Sequence, residues 1–402
     1  LVRGLTGFLQ VTEWGLHDRC FEIASEPRGL LEELRARHGS HPVESCDSHG
    51  ACATGYQRLL DGLVEGARRK TDLLLDILAR ERWDLFACCF GESHCVGHQF
   101  WHFLDPSHPR HEANAPFHDA IQTLYSLIDA GIARLLEAAG PDARVLVVTS
   151  HGMGPYTGGP NLLPEVLRRM CLAAPTNASA GRAAGWLYRT LPEGLKRTLK
   201  RHLGKAVAEK ARDLAGYRPF GLELPGTRAV ALNNNRCGAI RLNLKGREPH
   251  GRVESGPEAQ MLLARIRAKL QGLRDPTSGQ PIVVSVATAD EAFGPDHDPD
   301  IPDLIVEFRT DLGILDACIS DSLGRIESPL YNPAMPRTGD HTPSSRLWAL
   351  GPDITTSADL CQANVLDLAP TVLDLLGVAP SGPCDGRPLP LRAGGVIAPS
   401  VA

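Results

Sequence analysis

No apolar run in this 402-residue chain approaches the about 20 residues that a membrane-spanning helix needs, so no such helix is expected. No charge of one sign dominates either: 42 Lys and Arg stand against 47 Asp and Glu, a formal net charge of −5. That balance offers no global argument for nucleic acid or a membrane surface as a partner. The eleven cysteines contain no CxxC pair and no zinc-ribbon spacing, and an odd number is unlike a disulfide framework, so reduced, mostly buried thiols are expected. Internal repeats are absent. The chain opens Leu1-Val2-Arg3 without an initiator Met, a basic n-region or an apolar h-region. A cytoplasmic location is therefore expected, unless an export signal precedes this start. Oligomeric state is not legible.

What is present is the composition of a folded chain, 43% hydrophobic and 22% charged, long enough for one large α/β domain with an insertion or for two domains. The reading is organised around Val145-Leu146-Val147-Val148-Thr149-Ser150-His151-Gly152. An apolar, β-branched run predicts a strand buried on both faces, and the polar residues after it mark its exit from the sheet. In open parallel sheets ligands bind outside the carboxyl ends of the strands, which puts His151 where a catalytic or metal-binding side chain would stand. A lone histidine there is more often a hydrogen-bonded core or loop residue, so other segments must join it.

Upstream, residues 7–14 read as strand-like and 28–37 as a short helix. Leu59, Leu60, Leu63, Val64, Leu74, Ile77 and Leu78 fall near helical spacing and predict a long amphipathic helix over 56–82. Residues 84–90 predict a buried strand, 91–111 a His-rich loop, and 117–139 a helix stopped by Gly140-Pro141. Strand, helix, strand at these lengths is a βαβ unit, which implies a doubly wound, mostly parallel α/β sheet flanked by helices. From 171 to 280 the pattern changes to an α+β insertion or cap, between a first core part, 1–170, and a second, 281–390; residues 391–402 form a tail. Within the insertion the stretch 187–214 is basic, but acidic residues lie among its charges and no aromatics interleave, so a solvated face is expected rather than nucleic-acid binding. Two strands are expected around Asn233-Asn234-Asn235 and a helix over 256–270. Strands resume at 281–286, 303–308 and 346–351, and a last helix over 367–376 has Pro370 in its first turn and Gly377 as its stop.

Three segments offer ligands: Glu92, His94 and His98 in the first, His151 in the second, and Asp340 with His341 in the third. The first two follow predicted strands and the third precedes one, so a single sheet could bring them to one rim. Zinc takes imidazole nitrogen and carboxylate oxygen, and two histidines with a distant third and a carboxylate make an open catalytic site rather than a closed structural one. For the pair His94 and His98 alone, a hydrogen-bonding loop explains the spacing as well as a metal does. With His151 and His341 added, metal is the better reading. His102, Asp105, His108 and His111 are expected to support the ligands or face solvent. Lys245 and Arg247 could hold a phosphate, Arg offering a fork matched to anionic oxygens, although Gly246 and Pro249 also fit a purely structural turn. Cys95 is expected as a packed thiol.

Six segments, GESHCVGHQFWHFLDP, VLVVTSHGMG, RLNLKGREPHG, PDLIVEF, RTGDHTPSSRLWALGP and VLDLAPTVLDLLGV, spread from about residue 8 to 390, resemble the alkaline phosphatase superfamily in its type I phosphodiesterase/nucleotide pyrophosphatase branch. The resemblance implies a doubly wound α/β core and two zinc ions, with manganese as the alternative, bracketing a Thr, Ser or modified Cys nucleophile. It implies that His98 and His341 belong to the first metal and His151 to the second, and that the substrate is a small phosphate ester, a phosphodiester or a nucleotide pyrophosphate. In such sites metal activates the nucleophile and binds the non-bridging oxygens, and a covalent phospho-enzyme is then hydrolysed.

Three departures from the family pattern bear on the chemistry. His94 occupies a position where the family has Asp, and Ser150 replaces the Asp of its Asp-His-Gly motif, so two anionic ligands become neutral groups. Glu92 or Asp340 is expected to compensate. The family's nucleophile segment precedes the part matched here, and since neither Thr6 nor Thr12 lies in a strand-turn-helix context, the nucleophile is expected upstream of Leu1. A sulfatase or phosphomutase of the same superfamily, and a degenerate, non-catalytic binding protein, are the alternative readings.

Overall fold

The computed structural model describes residues 7–12, 14–15, 24–43, 46, 52–173, 225–233, 237–328, 337–355 and 363–392, and among these described residues the chain is mixed α/β with eight α-helices and small antiparallel sheets. Its elements begin with β1 (Gln10–Thr12), β2 (Ala24–Glu26), α1 (Leu30–His38), α2 (Ala53–Leu78), α3 (Glu92–Leu104) and α4 (Ala120–Ala139). They continue with β3 (Val145–Thr149), β4 (Gly152–Pro155), α5 (Leu163–Arg169), β5 (Ala229–Asn233), β6 (Cys237–Leu242) and α6 (Pro257–Gln271). The remainder are β7 (Val283–Thr288), α7 (Ala289–Phe293), β8 (Leu304–Phe308), β9 (Ala317–Ser320), β10 (Gly324–Glu327), β11 (Gly339–Thr342), β12 (Arg346–Leu350) and α8 (Leu368–Leu376). Two units divide the chain, one of residues 1–156 with 334–402 and one of residues 157–333. The basic stretch 187–214 and the tail from 393 onward lie outside the described residues.

In the first unit the long helix expected from leucine spacing is α2, whose Tyr56, Leu59, Leu63, Ala67 and Leu74 form a buried stripe. Its partner α4 buries Leu124, Ile128, Gly131 and Leu135. Helix α3 turns Val96, Phe100 and Phe103 into the same core, where Tyr56 and Phe103 meet edge to face at 5.0 Å between ring centroids. This corrects the expected loop over 91–111: residues 92–104 are helical because apolar side chains recur at positions 96, 100 and 103, the helical interval. The loop proper starts at Asp105, which accepts from Ser107 N at 2.9 Å and Trp101 Nε1 at 3.3 Å. Helix α8 ends as expected, with Gly377 at φ 70° and Val378 N donating to Leu373 O at 2.9 Å.

Sheet topology differs from the expectation. Every ladder among the described residues is antiparallel, and no doubly wound parallel sheet is seen among them. Residues 84–90 form no helix and no strand ladder, and Leu85 is exposed. An apolar run supplies the burial preference of a strand, whereas a strand also needs a neighbouring edge, which local sequence does not specify. Strand β3 forms, but not buried on both faces as expected: none of its residues is fully buried and Val148 is exposed, because its one ladder among the described residues is to β12, Val147 opposite Trp348. The next residues of the same two segments pair again as β4 with β11, His341 opposite Met153 and Thr342 opposite Gly152. The break between the two ladders falls at His151.

The second unit is built on a four-stranded antiparallel sheet in the order β5-β6-β8-β7. Strands 283–288 and 304–308, read from sequence as a return to the first core, pair within this sheet, β8 lying against β6 from the segment read as an insertion. Leu262, Ile266 and Leu270 of α6 join Ile240, Leu242 and Val306 in its core.

Helices α1 and α2 are tied by Asp76, which accepts from Arg37 Nη1 at 2.7 Å and lies 2.9 Å from His38 Nε2. Burial alone would raise its pKa, but the hydrogen bonds from His38, Arg80 and Arg37 outweigh it and lower the carboxyl from 3.8 to about 2. A carboxylate whose folded pKa lies below its unfolded value stabilises the fold above the unfolded pKa, and loses that contribution as pH falls through the folded one. The expected contribution is on the order of 1–2 kcal/mol, discounted because Arg37 is exposed to screening solvent. Asp76→Asn should therefore lower the thermal midpoint at pH 7 and flatten its decline between about pH 4 and about pH 2. An identical acid dependence in both proteins would reject this account.

Candidate metal centre

Helix α3 presents His94 and His98 one turn apart, so their rings share a face. Strand β11 presents His341, and the break between β3 and β4 presents His151. His98 is buried and the other three are half-buried. The Nε2 atoms of His94, His98 and His341 form a triangle, with His98 3.1 Å from each of the others and His341 2.9 Å from His94. Tetrahedral ligands held about 2.0–2.1 Å from a zinc ion stand about 3.3 Å apart, so the triangle matches that donor set to within a few tenths of an ångström.

Hydrogen-bond chemistry points the same way. His98 Nδ1 lies 2.7 Å from Gly339 O; a carbonyl only accepts, so the proton sits on Nδ1 and a neutral ring directs a lone pair from Nε2 into the triangle. His151 Nδ1 lies 3.0 Å from Gly152 O, which leaves its Nε2 lone pair free to ligate by the same argument. Three imidazole nitrogens this close cannot all carry protons, because facing N–H groups repel; a shared cation satisfies every lone pair at once. His94, His151 and His341 also form a set whose ligand atoms lie within 4.8 Å of one another, and the His151 ring stacks on His341 at 3.9 Å between centroids. This set takes in His151 and leaves out His98, although the His94 ring lies nearer to His98, 4.4 Å between centroids, than to His151, 5.8 Å.

The pairing of α3 with β11 makes this convergence. Thr338 N donates to His98 O at 2.7 Å, and Thr338 Oγ1 accepts from His102 N at 3.2 Å, so Thr338 engages both groups of one rung of the helix. His102 itself is buried with its Nδ1 2.9 Å from Thr338 Oγ1, a supporting role rather than a ligand's. At the helix end, where carbonyls lack partners within the helix, His111 Nδ1 lies 2.9 Å from His102 O and His118 Nδ1 2.6 Å from Phe103 O.

The carboxylates expected to compensate stand elsewhere. Glu92 is fully buried at the start of α3, 3.1 Å from His41 Nε2 and 2.9 Å from Lys70 Nζ, so its oxygens face these two groups. Burial alone would raise its pKa; the His41 hydrogen bond and the Lys70 charge outweigh it and lower the carboxyl below the ordinary glutamate value. Asp340 follows the strand alternation to the face opposite His341 and accepts that residue's backbone N–H at 2.8 Å. Lys245 and Arg247 lie in the second unit. There Lys245 pairs with Glu254, and Arg247 donates both Nη groups to Asp303 at 2.8 Å and its Nε to Glu248 at 3.0 Å. Ser150 is exposed beside His151. Cys95 is a packed thiol as expected: its hydrogen bond with Cys46, together with burial, raises its pKa.

Sequence reading missed Lys70 and His41. Lys70 had a signal, a charge set in the buried stripe of α2 between Ala67 and Leu74; His41 had none, 51 residues from Glu92.

No family model, no curated protein and no solved structure matches this chain. The resemblance to the alkaline phosphatase superfamily therefore rests on the six segments, three of which carry the four histidines.

Proposed function

We propose that this chain carries a metal-dependent hydrolytic centre for phosphate esters, phosphodiesters or nucleotide pyrophosphates, within an alkaline phosphatase-like, doubly wound architecture. The observation that supports it most is the Nε2 triangle of His94, His98 and His341 with His151 beside it. Zinc is the metal that this nitrogen donor set suits best, with manganese as the alternative. A bound divalent ion would supply Lewis-acid charge at the site. The protein's own part is to hold that charge uncompensated: imidazole ligands are neutral, and the nearby carboxylates of Glu92 and Asp340 are engaged with other partners. Such a centre favours an anionic oxygen, as a phosphate ester offers. His98, held by Gly339 O, and His151, held by Gly152 O, are oriented before any ligand arrives, which lowers the cost of binding it.

Elemental analysis of the purified chain, paired with turnover of a chromogenic phosphodiester before and after chelation, tests this reading. Zinc near one or two ions per chain, with hydrolysis lost on chelation and restored by zinc, is the expected result. Hydrolysis of sulfate esters in preference would move the assignment to a sulfatase. The neutral ligand set favours one other reading, a metal-binding protein without turnover, and tightly bound zinc with no hydrolysis of any ester would select it.

A further inference from the structure

Glu92 and the groups around it, Lys70, His41, Trp14 and Phe90, lie outside the ligand set, yet Glu92 and Lys70 form a deeply buried ion pair in the first unit, with His41 beside it. Glu92 is 0% exposed and Lys70 and His41 are 4% and 8% exposed. Lys70 Nζ lies 2.9 Å from Glu92, and above the rings of Trp14 and Phe90 at 5.9 and 5.8 Å from their centroids. His41, whose Nδ1 is engaged by the Val43 backbone, reaches Glu92 Oε1 at 3.1 Å. Burying an ion pair is expensive, and its replacement by apolar groups of like volume is often neutral or stabilising. Stability alone is therefore a poor explanation for this cluster.

Its place on α3 supplies another. The helix starts at Glu92 behind Gly91, an N-cap residue with no side chain to bond the first turn, and the Glu92 carboxylate accepts from its own backbone N–H. Uncapped first turns fray, because their N–H groups lack partners. His94 sits in that turn. His98, one turn later, is held independently by Gly339 O and Thr338 N, so the two ligands on α3 have different supports. We infer that Glu92, clamped by Lys70 and His41, is the positioning residue for His94: it fixes the first turn of α3 so that the His94 ring meets those of His98 and His341. This rests on the metal-centre reading above. The same placement explains why Glu92, two residues from His94 in sequence, is not itself turned toward the imidazoles.

The test is a set of zinc and cobalt affinities by chelator competition, with the cobalt absorption spectrum and a thermal melt for each protein. Glu92→Gln/Lys70→Met removes both charges at nearly constant volume, so stability is expected to stay near wild type. Zinc affinity is expected to fall about 10–100-fold, the usual loss for an outer partner of a metal ligand, with an altered cobalt spectrum. In a His94→Ala background the same pair of substitutions is expected to change affinity less than about twofold, since the ligand they position is gone. A merely structural role would give equal losses in both backgrounds. His41→Gln leaves the ion pair intact and keeps the question answerable if the double variant does not fold; a loss of about threefold or more is expected, and no loss overturns the inference. A folded double variant with wild-type affinity and spectrum also overturns it. If the wild-type chain binds neither metal, the metal-centre reading itself fails and this inference with it, a result distinct from wild-type binding that the variants leave unchanged.

Discussion

His98→Ala should reduce zinc affinity by more than about 100-fold, beyond the 10–100-fold that loss of an outer-shell partner costs, and should abolish stoichiometric metal in the purified protein. His98 is the vertex common to the two 3.1 Å edges of the triangle and is the one fully buried histidine of the four, so no water-exposed rearrangement of its neighbours can replace its nitrogen. The substitution also deletes the contact of Nδ1 with Gly339 O, leaving a buried carbonyl with one partner fewer. A thermal melt separates the two effects: the fold is expected to lose about 1–3 kcal/mol while metal binding disappears. His151→Ala should cost less in zinc affinity than His98→Ala, because His151 is half-buried and water can take its place. The measurement is elemental analysis followed by competition with a chelator. Metal retained at wild-type stoichiometry by a folded His98→Ala protein would mean that the triangle is a hydrogen-bonded cluster and not a metal centre.

How much of this was legible in the sequence depended on distance along the chain. The four histidines stood out because two lie at an interval of four and two stand at the edges of apolar runs. Their convergence was readable only as an expectation, since the pairing of β11 with β4 spans nearly two hundred residues. The helix that carries His94 and His98 was hidden by its own composition: glycines at 91 and 97 and repeated histidines look like a loop, while the stripe Val96, Phe100 and Phe103 is short enough to miss. The Glu92 expectation rested on proximity in sequence to His94, but its partners lie 22 and 51 residues away, and it is burial that set its role. For the sheet, an apolar run such as 84–90 states a preference for burial and says nothing of whether a neighbouring strand is there to accept it. Helix ends were the most readable features, because Gly377 acts through its own backbone.

Gly339→Ala should damage fold and site together. A Cβ at 339 would lie 2.1 Å from Gly97 O and 3.0 Å from Gly97 C and Trp101 Cβ, so the obstacle is helix backbone and not a movable side-chain end. Relief requires α3 to retreat from β11, and the retreat must stretch the bonds that run between them, His98 Nδ1 to Gly339 O and Thr338 N to His98 O, each 2.7 Å. Overpacking of this kind costs about 1–3 kcal/mol, and the expected value is at the upper end because backbone on both sides must move. The facing change, Gly97→Ala, should be milder: its Cβ would meet the Met153 side chain at 2.6 Å, and a methionine terminus has rotamers to yield into. Gly382→Ala, with open space around it, serves as the control and should lie within about 0.5 kcal/mol of wild type. Denaturant melts give the stabilities, and zinc competition gives the coupling to the site. If the close approach of α3 and β11 is what brings His98 to His341, the order of zinc affinities must follow the order of stabilities, with Gly339→Ala last. A Gly339→Ala protein that melts and binds zinc like the control would mean that helix and strand do not meet as closely as the 2.7 Å bonds require.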